Sequence, residues 1–312
     1  MDKIVVSICC ITYNHEKYIR QCLEGLMNQK TNFKFEVLIH DDASLDSTAS
    51  IVREYELKYP ELIKPIYQTE NQYSKGVWVS SKYNFSRAKG KYIAICEGDD
   101  YWTDPLKLQN QVDFLESNAD YGMIYSQVKY FYQSSNKFAR TSWGGGATTF
   151  ESLIFANQIP TLSVVLRSDL VFQYINEIKP ELMGWKMGDY PMWLYVSLKS
   201  KIQFVNRTTA VYRVLEESVS HSDDFEKTEN FIKSYFDIKK FFYKYAKINY
   251  DKQQLQDYYL NDLASAAFLK NERSLAKSYL DDIKENSFKT RVKKIIYNSK
   301  ILSFFYMLFY GK

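Results

Sequence analysis

No cysteine pair in CxxC spacing, no glycine-rich phosphate loop and no run approaching the ~20 apolar residues of a membrane span occurs in the 312 residues of this chain. Each absence excludes something. The four cysteines, Cys9, Cys10, Cys22 and Cys96, all fall in the first third, three of them inside apolar strand-like runs. That placement argues against a disulfide or zinc framework and implies reduced core thiols in a cytosolic protein. Neither GxGxxG nor GxxxxGKS/T follows the first strand pattern, and Gly144-Gly145-Gly146 has no lysine after it, so ordinary dinucleotide and P-loop chemistry fall away. A phosphatase with an aspartyl nucleophile would carry its aspartates where Thr12-Tyr13-Asn14 stands. The formal charge of +4 is small for this length and the basic residues are spread along most of the chain, so composition carries no nucleic-acid footprint. Met1-Asp2-Lys3 leads straight into a strand pattern without a basic-then-apolar leader, which gives the expectation of a cytoplasmic protein.

What is present can fill a sizeable core, since 46% of the residues are hydrophobic. From Ile4 to about Asn118 short apolar runs alternate with amphipathic stretches, the pattern of an α/β fold with a mainly parallel sheet and crossover helices. Ile4–Ile11, Phe35–Ile39, Ile63–Tyr67 (interrupted by Pro65) and Tyr92–Cys96 read as strands. Helices are expected after Asn14, a plausible N-cap, over Ser47–Tyr59, over Ser80–Ala88, and from Asp104-Pro105 to about Asn118 with proline at its first position. From Tyr121 to Arg213 the pattern is mixed, with strand-like Met123–Tyr132, Leu162–Leu166, Ile202–Val205 and Thr209–Arg213 and a helix near Asp189–Lys199. Beyond Ser222 the chain reads as helical. The expected division is 1–222, with halves 1–118 and 119–222, followed by a helical region 223–312.

In such sheets ligands bind outside the carboxyl ends of the strands. Strand one ends in Thr12-Tyr13-Asn14, strand two in His40-Asp41-Asp42-Ala43-Ser44, and strand four in Glu97-Gly98-Asp99-Asp100. Alone, Asn14 and Asp46 could be helix caps and Asp41-Asp42 a turn. Together they place polar groups on one edge. Read alone, the acidic tetrad is either a solvated acidic turn or, since crowded carboxylates raise one another's pKa, the site of a neutralising hard cation, Mn²⁺ or Mg²⁺; the company of the other two strand ends favours the cation. Without a phosphate loop, a diphosphate would be held by that metal.

VSICCITYNHEKYIRQCL, VLIHDDASLDST and GKYIAICEGDDYWTDPLKLQNQV resemble, in order and spacing, the N-terminal half of bacterial family 2 glycosyltransferases of GT-A fold. The likeness continues through IPTLSVVLRSDL, MGDYPMWLYVS and VYRVLEESVSHS, to about residue 222. It implies a three-layer α/β/α nucleotide-binding fold and an inverting, metal-dependent transfer from a nucleotide sugar, a UDP-sugar above all, to a glycan or lipid-linked glycan in surface polysaccharide synthesis. Under it, Thr12 and Tyr13 line the uracil pocket with Asn14 beside them, Asp41 and Asp42 face the base, and Glu97-Gly98 approaches the ribose. Asp99 is the metal ligand, and Asp100 a second ligand or a structural neighbour. Glu97 departs from the aspartate usual in the family. Asp189 is assigned as the base, whereas spacing alone favours an N-cap.

Other residues keep two readings. His221 is a metal or diphosphate ligand or a solvated loop histidine; Arg213 pairs with phosphate or packs. Trp102 offers an acceptor sugar an apolar face or anchors the helix after it. Residues 284–312 carry seven basic residues against a single Glu285, then the apolar run Ile301–Tyr310, which suits either peripheral contact with the inner face of the cytoplasmic membrane or a docked terminal helix. The competing functions are a sugar-phosphate nucleotidyltransferase, which normally has a glycine-rich loop after strand one, and a non-catalytic nucleotide-sugar or glycan-binding module.

Overall fold

The computed structural model describes residues 3–215, 224–285, 288–299 and 302. In it the nearly continuous apolar run at the start forms β1 (Ile4–Thr12), followed by α1 (Ile19–Met27), β2 (Lys34–Asp41), α2 (Thr48–Lys58) and β3 (Ile63–Tyr67). A π-helical turn at Ser80–Asn84 and a 3₁₀ turn at Phe85–Arg87 replace the single short helix expected there, and β4 (Tyr92–Ile95) follows. Next come β5 (Tyr101–Trp102), α3 (Lys107–Ser117), β6 (Tyr121–Tyr132), β7 (Lys137–Trp143), α4 (Phe150–Phe155), β8 (Val165–Arg167), α5 (Ser168–Ile178), α6 (Asp189–Lys199) and β9 (Lys201–Val214).

The strands lie in the order β3-β2-β1-β4-β8-β6-β9-β5, with β7 paired to β6. β1, β2, β3 and β4 run parallel, as do β6 and β9, whereas β8 is antiparallel to both of its neighbours. Pro65 is tolerated because β3 is an edge strand. The core is built from the inward residues of β1, β2 and β4 with α1 and α3: Ile8, Leu23, Val37, Ala94, Leu108 and Val112 are all essentially inaccessible. All four cysteines are buried free thiols, and the close pair Cys22 and Cys96 keeps its sulfurs 3.9 Å apart.

Several sequence expectations shift. Asn14 does not cap α1: the helix begins five residues later, behind Tyr18, and Asn14 adopts a left-handed φ of 54°. Its Oδ1 instead accepts the Leu45 N–H at 2.8 Å, tying the loop after β1 to the loop after β2. Pro105 precedes α3 instead of opening it, and Asp104 Oδ1 accepts the Leu106 N–H at 3.0 Å in the turn before the helix. The two short strands expected between Ile202 and Arg213 are one strand, β9, whose parallel pairing with β6 absorbs the polar interruption as register shifts.

The chain divides into two compact units, Met1–Gly184 with Gly188–Leu215 and Trp185–Met187 with Glu216–Lys312. The second unit is helical: α7 (Phe225–Tyr245), α8 (Lys252–Leu269), α9 (Arg273–Asp281) and α10 (Phe288–Asn298). Asp224 and Asp251 cap α7 and α8 by accepting backbone N–H groups of the first turn. Ala264, Ala267 and Ala276 permit close approach of α8 and α9, and Tyr297 of α10 stacks on Phe268 with ring centres 3.8 Å apart. Lys293 Nζ donates to Asn261 Oδ1 and Ser265 Oγ, and Lys294 pairs with Asp281. No helix among the described residues is long and apolar enough to cross a membrane.

Candidate active site

The parallel register brings the ends of β1, β2 and β4 to one edge. Thr12 is paired with Asp41 across the sheet, the Asp42 N–H donates to the Thr12 carbonyl at 3.0 Å, and the Gly98 N–H donates to the Ile11 carbonyl at 2.9 Å. The chain therefore approaches β1 closely just where the acidic tetrad begins. A Cβ on Gly98 would stand 2.6 Å from Thr12 Oγ1 and 3.0 Å from His15 Nδ1, so glycine is required by space. Those two polar atoms are buried and have no hydrogen-bond partner. Buried orphan donors and acceptors are rare and call for a partner such as water, an ion or a ligand.

His15 was not singled out from the sequence. Burial holds its imidazole below the usual value, against the pull of Asp99, Asp46 and Asp41. Its backbone N–H donates to Thr48 Oγ1 at 2.8 Å, and the Glu16 N–H donates to Asp46 Oδ2 at 3.0 Å, so the loops after β1 and β2 are stitched together. Tyr13 projects from this edge with 40% of its surface exposed, an open aromatic beside the polar pocket.

Asp41 and Asp42 are both nearly inaccessible. Asp41 Oδ1 accepts the Ser44 hydroxyl at 2.5 Å, and burial raises its carboxyl pKa. Asp42 receives the Gln72 and Tyr73 backbone N–H groups at 2.8 and 2.9 Å, one on each oxygen. These amides fix the carboxylate and leave each oxygen one further lone pair.

The tetrad divides by geometry. Glu97 is partly buried, and burial together with the Asp99 and Asp189 charges pushes its carboxyl up to about 8. Asp100, 2% exposed, accepts the Arg213 backbone N–H at 2.7 Å; burial and then Asp99 and Glu97 hold it well above the carboxylate range. Asp99 uses its carbonyl to accept from Arg213 Nε at 2.8 Å, while its carboxylate has no hydrogen-bond partner among the described residues.

Arg213 is turned inward, the packed arrangement among its readings. It is 6% exposed, donates to Gln133 Oε1 and Gln21 Oε1 as well as to Asp99, and lies over the rings of Tyr18, Tyr101 and Phe131. Its task is to fasten the 99–100 loop to β9. Arg213→Ala is expected to lower stability by roughly 3 kcal/mol, because buried acceptors lose their donor; an unchanged urea midpoint would contradict this. His221 lies outside the described residues. Trp102 is 3% exposed, donates Nε1–H to the Leu162 carbonyl at 2.7 Å and has Lys107 Nζ of α3 over its ring at 4.1 Å.

Asp189 is the first residue of α6 and the cap position belongs to Gly188, so it is no N-cap. Its Oδ1 accepts the Tyr190 N–H at 2.7 Å and its Oδ2 accepts the Thr161 hydroxyl at 2.8 Å. The charges of Asp99 and Asp189, on two separate segments, both act on Glu97.

Among the described residues no three His, Cys, Asp or Glu side chains are grouped closely enough to enclose a metal by themselves. The donor set still fits a hard divalent ion of the kind that takes one or two carboxylates from protein and the rest of its shell from phosphates and water. Asp99 would offer it a carboxylate without a hydrogen-bond partner among the described residues, and such an ion would relieve the crowding that raises the Glu97 and Asp100 carboxyls.

The sequence profile described as Glycosyl transferase family 2 matches residues 7–168. The uncharacterized protein Rv1520 of Mycobacterium tuberculosis is 37% identical over 220 residues, covering 70% of this chain and 61% of that protein. The chain thus spans about three fifths of the length of the mycobacterial relatives it matches. WfaP of Escherichia coli, named as a UDP-Glc:α-D-GlcNAc-diphosphoundecaprenol β-1,3-glucosyltransferase, is 27% identical over 69% of this chain and 80% of its own length. Among solved structures, the mannosyltransferase PcManGT from Pyrobaculum calidifontis, in complex with GDP-Man and Mn²⁺, superposes with a TM-score of 0.58 over 98% of this chain and 87% of that one, at 13% identity. The fold is that of GT-A glycosyltransferases, a mixed and mainly parallel sheet with helices. The chain belongs to glycosyltransferase family 2.

Proposed function

We propose that this chain transfers a sugar from a nucleotide sugar, a UDP-sugar, to a hydroxyl of a growing glycan or lipid-linked glycan, with inversion and with Mn²⁺ or Mg²⁺ as cofactor. The observation that carries the proposal is the pair Glu97 and Asp99 at the edge where β1, β2 and β4 end, beside the orphaned Thr12 Oγ1 and His15 Nδ1 and with Asp189 near enough for its charge to act on Glu97. WfaP's named donor and lipid-linked acceptor favour the same chemistry, and the Mn²⁺ of PcManGT supports a divalent cofactor.

In this reading Tyr13, Thr12 and the fixed Asp42 receive the base. Asp99 holds the cation, which when bound acts as a Lewis acid neutralising charge on the departing diphosphate. Asp189 accepts the proton of the attacking hydroxyl: the acceptor oxygen bonds to the anomeric carbon, the bond from that carbon to the diphosphate breaks, and the nucleoside diphosphate leaves with the electron pair. Asp100 and Arg213 keep the 97–100 loop in place. In the basic stretch before the apolar run, Lys293, Lys294 and Tyr297 are engaged with α8 and α9, which favours a docked helix there; the run Ile301–Tyr310, Leu302 apart, lies outside the described residues. A nucleotidyltransferase is disfavoured by the crossing of β1 into Thr12-Tyr13-Asn14 without a glycine-rich loop. Calorimetry of UDP with Mn²⁺ and after chelation tests the donor site. Removal of the metal is expected to weaken UDP binding about 100-fold, since its contribution is worth several kcal/mol; equal affinity with and without metal would remove the cofactor from the account.

A further inference from the structure

Resting on the reading of Asp189 as the base, we propose that Thr161 is its positioning residue, and that the 3₁₀ turn Thr161–Ser163 sets the base against the 97–100 loop. Asp189 begins a helix whose own backbone fixes only one carboxylate oxygen, through the Tyr190 N–H. The other oxygen takes the Thr161 hydroxyl at 2.8 Å from a segment 28 residues earlier. Without that hydroxyl, rotation about the side-chain bonds would carry the free oxygen away from the substrate.

The turn that carries Thr161 is itself bolted down. Trp102, two residues beyond Asp100, donates its indole N–H to the Leu162 carbonyl at 2.7 Å, and Gln111 Nε2 donates to the Ser163 carbonyl at 2.9 Å. Ser163 Oγ closes the turn on the Pro160 carbonyl at 2.8 Å. A continuous path therefore runs from the metal-facing loop through Trp102, Leu162 and Thr161 to Asp189, every link a short hydrogen bond or a peptide bond. Such a path holds the base at a set distance from the leaving diphosphate, and small displacements of a reacting group are costly.

The titratable groups that Asp189 faces are Glu97, at the end of β4, and the buried phenol of Tyr174 on α5, which the Asp189 charge helps to keep neutral. A hydrogen bond donated to a carboxylate favours its charged form.

The test uses the full chain with Mn²⁺, following UDP released from UDP-glucose and UDP-N-acetylglucosamine across pH, with UDP calorimetry alongside. Thr161→Val, which keeps the shape and removes the donor, is expected to lower kcat roughly 10- to 100-fold and to move the acid limb of the pH profile upward, with UDP affinity unchanged. Thr161→Ser is expected to restore both. A Thr161→Val profile with an unmoved limb, while Asp189→Asn is inactive, would overturn this inference alone. Turnover retained by Asp189→Asn, or no UDP release by the unmodified chain, would overturn the base reading and this inference with it.

Discussion

Asp189→Asn is expected to leave UDP and Mn²⁺ binding intact and to lower transfer by about 10²- to 10⁴-fold, the range supplied by a positioned general base. The substitution is nearly isosteric. Both existing hydrogen bonds constrain it: the Tyr190 N–H needs an acceptor, which the amide oxygen supplies, while the Thr161 hydroxyl can turn to accept from the amide nitrogen. The helix start should therefore survive, because Gly188 and not Asp189 holds the cap position. What is lost is the acceptor for the proton of the attacking hydroxyl. Steady-state UDP release with calorimetry on the same preparation separates the two effects, and transfer at the unmodified rate would remove Asp189 from the chemistry.

The second large effect is expected at Asp99. Asp99→Asn should cost several kcal/mol of metal-dependent stabilisation, roughly three orders of magnitude in turnover, and should also weaken UDP in the presence of Mn²⁺. Because its carboxylate has no hydrogen-bond partner among the described residues, folding stability should hardly change. Asp100→Asn makes the contrast. Asp100 accepts the Arg213 N–H inside the fold and its carboxyl is held well above the usual range, so its replacement should act on the loop's anchorage, not on a metal. Thermal melting and UDP calorimetry on the two variants distinguish a ligand from a structural neighbour; a destabilised Asp99→Asn with normal UDP binding would reverse the assignment.

The parallel half of the sheet was legible because β1, β2 and β4 are buried strands whose apolar runs end abruptly in polar residues, and topology carries those ends to one edge. The mixed half was less so. β7 is almost wholly exposed, so its residues have no alternation to reveal a strand, and α4 and α5 lie in a stretch whose pattern the glycine-rich loop interrupts. At the site, residue type announced the acidic tetrad and the aspartate pair. It could not announce Gln72 and Tyr73, which hold Asp42 through backbone amides that every residue but proline possesses. Nor could it pair Arg213 with a loop 113 residues away, or Thr161 with Asp189. His15 left a faint signal: a histidine three residues after Thr12 at a binding edge, visible in retrospect only because its Nδ1 is buried without a partner.

The central claim is that the edge where β1, β2 and β4 end binds a nucleotide sugar through a metal and breaks its bond to the anomeric carbon. Release of UDP from UDP-sugars by the unmodified chain, with Mn²⁺ and then with the metal chelated, tests it most directly. The account predicts release with Mn²⁺ that chelation abolishes and added metal restores. Firm binding of UDP with Mn²⁺ but no release from any nucleotide sugar would contradict it and identify a binding module instead.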